Sequence, residues 1–177
     1  MVLLLKLAIF AIVSVGIIFF SWRYFRNPRS YGFYRFFVFE FILVLILLNV
    51  ENWFTDPFSV HQIISWLLLF ASLVPVVHGF YLLRAVGRPK EGFEDTTALV
   101  VVGIYKYIRH PLYGSLLLLA WGVFFKAPSL IGGILSLGAS AFLVATARVE
   151  ESEDLKKFGA DYAAYMKTTK MFVPFVF

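Results

Sequence analysis

The stretch that decides the fold runs from Leu112 to Ala147, "LYGSLLLLAWGVFFKAPSLIGGILSLGASAFLVATA". It holds two uncharged apolar runs, about Leu112 to Phe125 and about Leu130 to Ala147, parted by Lys126-Ala127-Pro128-Ser129. Pro128 stops a continuous helix, because its nitrogen carries no hydrogen and its ring collides with the preceding turn. The two runs therefore read as a tight hairpin of apolar helices. A bilayer-spanning helix needs about 20 apolar residues, so the first run is short for a span.

Three further apolar runs lie upstream, at about Val2 to Trp22, Phe33 to Val50 and Ile63 to Leu83. The whole chain of 177 residues is 60% apolar and 15% charged, with a mean hydropathy of +0.82. Soluble domains carry about 25% charged residues. The composition is that of an integral membrane protein, an all-α polytopic helix bundle of about five transmembrane helices with a cytoplasmic carboxyl-terminal helical segment. We read residues 1–177 as a single membrane domain, with three spans in 1–83 and a chemistry-bearing half in 84–177. The first run exceeds a 7–15-residue signal core and is followed at once by Arg23 and Arg26, so a retained helix is expected there. The chain has no cysteine, which excludes disulfides and thiolate metal sites.

A net charge of +5 and a pI near 9.5 would suggest nucleic acid in a soluble protein. Here the distribution of charge gives a simpler account. Of the 16 Lys and Arg residues, all but Lys6 and Lys126 fall on one side of the five-span layout. The positive-inside rule then predicts an amino terminus outside and a carboxyl terminus in the cytoplasm, in the inner membrane if the cell is prokaryotic. Two polar segments share that side, Arg84 to His110 and Arg148 to Lys170. Chemistry with a polar cofactor is expected where they meet.

Within the first segment, "GIYKYIRHPLYGS" (103–115) sets Arg109 and His110 before Pro111 and among Tyr105, Tyr107 and Tyr113. Pro suits the first turn of a helix, where its N–H would be unpaired in any case. The free N–H groups at such an end, with Arg109, would attract a carboxylate or phosphate. The same residues also make an interfacial anchor, with Arg snorkelling and tyrosines at headgroup level. In the second segment, Arg148 and Glu151 stand three apart on a helix continuing from the last span. Glu150 and Glu151 point about 100° apart, so one of them faces any given pocket. Such carboxylates bind an ammonium or ribose hydroxyls, and they also read as one end of a solvated charge run through Lys157. Gly159 is placed to end this helix with a positive φ. Tyr162 and Tyr165 follow at helical spacing.

Glu40 lies inside the second span and could pair with Arg35 or with His78. His78 follows Pro75 on the third span and reads as a hydrogen-bonded structural residue. His61, His78 and His110 lack zinc-ligand spacing. There is no G-x-G-x-x-G after a strand and no G-x-S-x-G. Gly132-Gly133 reads as a close-packing position between helices.

The ordered set "ALVVVGIYKYIRHPLYG" (98–114) and "EESEDLKKFGADYAAY" (150–165) resembles the isoprenylcysteine carboxyl methyltransferase and phospholipid methyltransferase superfamily. The resemblance covers roughly residues 97–174. It implies a membrane-embedded methyltransferase that uses S-adenosylmethionine and no metal. It assigns the cofactor to Gly103, Tyr105, Arg109, His110, Tyr113, Glu150 and Tyr162, closed over by the carboxyl-terminal segment. It assigns Arg148 and Glu151 to catalysis at the acceptor end. The acceptor would be lipophilic and enter sideways from the membrane lipid. An isoprenylcysteine-like carboxylate is the first expectation, with a phospholipid amine or a small thiol open. The competing expectation is a non-catalytic transporter or scaffold resting on Glu40 and His78.

Overall fold

The computed structural model describes residues 2–88 and 96–174. Residues 89–95, part of the polar stretch singled out above, lie outside the described residues. The described elements are α1 (Val2–Ser21), α2 (Tyr31–Asn49), α3 (Val60–Ala85), α4 (Pro111–Phe124), α5 (Leu130–Phe158) and α6 (Ala160–Thr168), with short 3₁₀ turns between several of them. The all-α reading holds among the described residues. Four helices are long and apolar enough to cross a membrane, and α4 is a shorter apolar helix of 14 residues. At 1.5 Å per residue α4 is about 21 Å long, short of a hydrocarbon core of about 30 Å. By the same measure α5, with 29 residues, reaches about 43 Å. Its apolar part, 130–147, is about the membrane's thickness, and the charged remainder, 148–158, runs on as helix beyond it.

The helix ends follow local chemistry. Asn27, before Pro28, is extended at φ −134° and ψ 96°, because the proline ring bars the helical region to its predecessor. Gly159 ends α5 at φ +58°, a region that L side chains avoid. Pro75 is carried inside α3 without ending it.

The chain forms two compact units. The first combines residues 2–69 with 119–150. Val38, Leu45, Val123, Ala139 and Leu143 are fully or almost fully buried there. Phe142 of α5 stacks on Phe37 of α2 at 4.9 Å. The α4–α5 hairpin is tied by a Trp121 indole N–H donated to Ser140 Oγ at 3.2 Å. Gly132 lets α5 close on Phe124, whose Cδ2 would stand 3.2 Å from a β-carbon. On α1 the only buried residue is Ser21, and most of its apolar side chains are exposed, as on a lipid-facing helix.

Several polar side chains within this apolar unit find structural partners, while Glu40 Oε1 and Ser136 Oγ are buried without a hydrogen bond among the described residues. Among the described residues Glu40 is not paired with Arg35 or His78; its Oε2 accepts a 2.8 Å hydrogen bond from Ser14 Oγ of α1. Arg35, 4% exposed, lies between 5.4 and 5.9 Å from the ring centres of Phe20, Tyr24, Tyr31 and Phe39. Lys126, expected only as a loop cation, is 1% exposed. Its Nζ donates to Gln62 Oε1 at 3.0 Å and sits 3.5 Å from the centre of the Trp66 ring. Gln62 Nε2 donates in turn to the carbonyls of Asn52 and Lys126. Burial pushes the Lys126 ammonium below its ordinary pKa.

Two stability predictions follow from these pairings. Gln62→Leu removes the one hydrogen-bond acceptor that the buried Lys126 has among the described residues and is expected to destabilise the protein by about 3 kcal/mol, whereas adding Lys126→Met should recover most of that loss. Denaturant titration in detergent micelles of the wild type, the two single variants and the double variant reads both numbers. Glu40→Gln keeps an oxygen for Ser14 and removes a carboxylate from the membrane span, so its melting temperature should equal or exceed the wild type's. A clear drop would mean that the ionised carboxylate itself is needed.

Candidate functional site

The second unit, residues 70–118 with 151–174 among those described, carries the site. After α3 the chain runs to Gly103, whose φ of +59° turns it into the 3₁₀ segment Gly103–Lys106. A side chain is doubly excluded at Gly103. The φ disfavours it, and a β-carbon would fall 2.6 Å from Leu82 Cδ1 and 2.9 Å from His78 Nε2. Tyr105 is thereby buried against Leu82 and Val100.

Residues 107–110 then pair in parallel with 170–171. Lys170 N–H donates to Tyr107 O at 3.0 Å, Arg109 N–H to Lys170 O at 2.8 Å and His110 N–H to Met171 O at 3.1 Å. This places Arg109 and His110 immediately before α4, which Pro111 opens as expected.

Glu151 of α5 meets both. Arg109 Nε donates to Glu151 Oε1 at 2.6 Å, and His110 Nε2 lies 3.2 Å from the same oxygen. The Arg109 and Glu151 side chains are each 9% exposed. Burial pushes the Glu151 carboxyl up, but the His110 and Arg109 hydrogen bonds and positive charge outweigh it and hold the pKa below its ordinary value. Arg109 Nη1 also donates to Thr169 O at 2.6 Å and, at 3.4 Å, to Met166 O. Those carbonyls end α6, where the last turn leaves acceptors unpaired and a cation is favoured. One guanidinium thus joins the carboxylate of α5 to the carboxyl end of α6. Arg109 Nη2 and Glu151 Oε2 make no hydrogen bond among the described residues.

Aromatic rings wall the cluster. His110 stacks on Tyr113 with centres 5.5 Å apart and planes at 17°. Phe172 meets His110 edge-on at 6.2 Å. Tyr165 O–H donates to Tyr105 O at 2.6 Å, and Tyr162 packs edge-on against Tyr165 at 5.8 Å. Burial pushes the Tyr165 phenol above its ordinary pKa, so it stays a neutral donor.

Of the residues singled out in the sequence, Arg109, His110, Tyr113 and Glu151 come together in this cluster. Tyr105 and Tyr162 stand beside it through Tyr165, and Gly103 turns the chain into it. Of the acidic pair, Glu151 joins. Glu150 and Arg148 belong to the other unit: Glu150 is half-buried, and Arg148 is exposed with no partner among the described residues. The Thr169 and Met166 carbonyls, and Phe172, carry no sequence signature of their roles; only the helical spacing of Tyr162 and Tyr165 pointed to α6. Among the described residues no three His, Cys, Asp or Glu side chains gather as metal ligands would.

Over 122 residues, 64% of this chain, it is 30% identical to a protein named methanethiol S-methyltransferase 2 from Bradyrhizobium diazoefficiens. That alignment takes in 44% of the relative, so the chain spans less than half the length of the curated protein it matches. No solved structure matches the chain. A sequence model of the phospholipid methyltransferase family matches residues 60–161, from the start of α3 to the start of α6, and so reaches further toward the amino terminus than the motif-bearing stretch. With more than half of its length under that match, and Gly103, Arg109, His110 and Glu151 inside it, the chain belongs to the phospholipid methyltransferase family.

Proposed function

We propose that the protein transfers the methyl group of S-adenosylmethionine to a small lipophilic acceptor, at the cytoplasmic face of the membrane. The observation that carries this reading is the Arg109–His110–Glu151 cluster, in which one nitrogen of Arg109 and one oxygen of Glu151 are uncommitted among the described residues. Arg109 Nη2 is a donor suited to a carboxylate, and Glu151 Oε2 is an acceptor suited to an ammonium. A zwitterionic amino-acid end, such as the cofactor carries, matches that pair. Tyr113 and His110 would lie along it, with Tyr162 and Glu150 as further candidates.

When bound, the cofactor supplies a methyl group already activated on a sulfonium. The protein's part is then placement and dryness. The buried Arg109–Glu151 pair holds His110, the start of α4 and the end of α6 in one geometry. Tyr113 and Phe172 keep water from it.

A thiol acceptor is favoured by the name of the Bradyrhizobium relative. The second reading, an isoprenylcysteine-like carboxylate, rests on the exposed Arg148, whose fork geometry suits a carboxylate.

Calorimetric titration of S-adenosylhomocysteine into the detergent-solubilised protein should give saturable binding, weakened about tenfold to a hundredfold by Glu151→Gln or His110→Ala. Folded protein that takes up no S-adenosylhomocysteine would sink the reading. Because the folded-state pKa of Glu151 is depressed, its contribution to stability is present above the ordinary carboxylate value, about 4.3, and is lost as pH falls through the depressed one. The wild type should therefore lose more melting temperature than Glu151→Gln when both are taken from pH 7 to acid pH.

A further inference from the structure

The third span carries a histidine that the cluster does not use. His78 lies seven residues before the end of α3, about 10 Å along the helix. It is exposed, and so are its apolar neighbours Val74 at 63% and Val77 at 67% and the nearby Tyr81 at 66%. On an apolar span this is a lipid-facing surface. Contrary to the expectation of a hydrogen-bonded structural residue, the imidazole makes no hydrogen bond, ion pair or ring contact among the described residues. Its Nε2 instead stands against the turn at Gly103. The next residue, Gly79, lies where a β-carbon would meet Pro111 Cγ at 3.0 Å, which sets this part of α3 against the residue after His110. An ionisable side chain within a span is a functional candidate on cost alone. Of the titratable groups on the elements packed here, Arg84 lies over the Phe80 ring at 4.6 Å. Tyr81, Arg84, Tyr105, Lys106 and His110 are all beyond hydrogen-bond or ion-pair reach of His78.

We infer that His78 is the proton acceptor for an uncharged thiol that arrives from the bilayer, an inference that rests on the methyl-transfer reading above. A carboxylate acceptor is ionised before it binds and needs no base. An alkyl thiol is protonated at neutral pH and reacts as the thiolate. In the step, the acceptor S–H bond breaks and its proton passes to a ring nitrogen of His78. The sulfur electron pair forms the new bond to the methyl carbon. The bond from that carbon to the donor's sulfonium sulfur breaks, and its electron pair stays on the donor, leaving two neutral thioethers and an imidazolium. The proton is then lost to water. A histidine at the lipid side of the site, with both ring nitrogens uncommitted among the described residues, has the chemistry this needs.

The test compares two acceptors on the full chain in detergent: propanethiol, protonated at neutral pH, and 4-nitrothiophenol, already ionised. His78→Ala and His78→Gln are expected to lower propanethiol methylation about a hundredfold, and at least about tenfold more than they lower 4-nitrothiophenol methylation. Independently of turnover, propanethiol added with S-adenosylhomocysteine should show an alkanethiolate difference absorbance with wild type and not with His78→Gln. S-adenosylhomocysteine affinity of both variants should match the wild type, which confirms that they fold. Equal losses on the two acceptors, no loss, or an undiminished thiolate band in the variants would overturn the role. Wild-type methylation of an isoprenylcysteine-like acid and of neither thiol would also overturn it, with the methyl-transfer reading intact. Absence of S-adenosylhomocysteine binding would take down both.

Discussion

Two nitrogen donors from adjacent residues converge on a single oxygen of Glu151, and the geometry of the second unit depends on that convergence. A carboxylate removed from water costs several kcal/mol unless its charge and lone pairs are met. Arg109 meets both, and it does so without turning its whole guanidinium to the carboxylate. Nη1 is committed to the carbonyls that end α6. The arginine therefore has two structural duties, an ion pair and a helix cap. The three backbone hydrogen bonds between 107–110 and 170–171 fix the approach. Lysine in its place would supply a charge but not two donor directions in one plane.

The sequence suggested that Arg109 offers a free positive charge to a ligand. The structure divides that group, with two of its nitrogens spent on the fold and one left over among the described residues. This changes what the site can recognise. A free guanidinium would grip a carboxylate through two parallel bonds. One remaining nitrogen beside one remaining carboxylate oxygen offers a donor and an acceptor together, which is what the proposed zwitterionic ligand would require.

Much of the architecture was legible because it rests on local rules. Hydropathy located the helices within a few residues, Pro111 marked the start of α4, and Gly159 marked the end of α5 through its positive φ. The i, i+1 geometry of Glu150 and Glu151 showed that one of them would face the cluster, but not which, because that depends on the rotation of α5. What stayed hidden has a physical reason. Main-chain carbonyls such as Thr169 O have no residue signature. The burial of Lys126 depends on Gln62 and Trp66, some sixty residues away in sequence. Glu40 looked functional because a carboxylate in a span is costly, yet its partner is a serine on α1 that no pattern singles out. A membrane bundle obliges each polar group to find company, so an intramembrane charge alone does not separate structure from function.

His78 and Lys126 make that separation concrete. Both are ionisable groups in an apolar chain. Lys126 is enclosed, bonded to Gln62 and covered by an indole, and every contact it makes holds two segments of backbone together. His78 is exposed and has no bonded partner among the described residues, and it costs its helix a polar ring on an apolar surface. Packing against Gly103 does not require imidazole; a leucine of similar reach would fill the same space at lower cost in hydrocarbon. Arg148, the other exposed cation discussed for the acceptor, is not an alternative for proton transfer, because a guanidinium does not give up or accept a proton near neutral pH. On the proposed reading, an acceptor that must lose a proton would call on His78, and one that is already ionised would call on Arg148. The choice between thiol and carboxylate is therefore a choice between two positions on this chain, α3 and the polar end of α5.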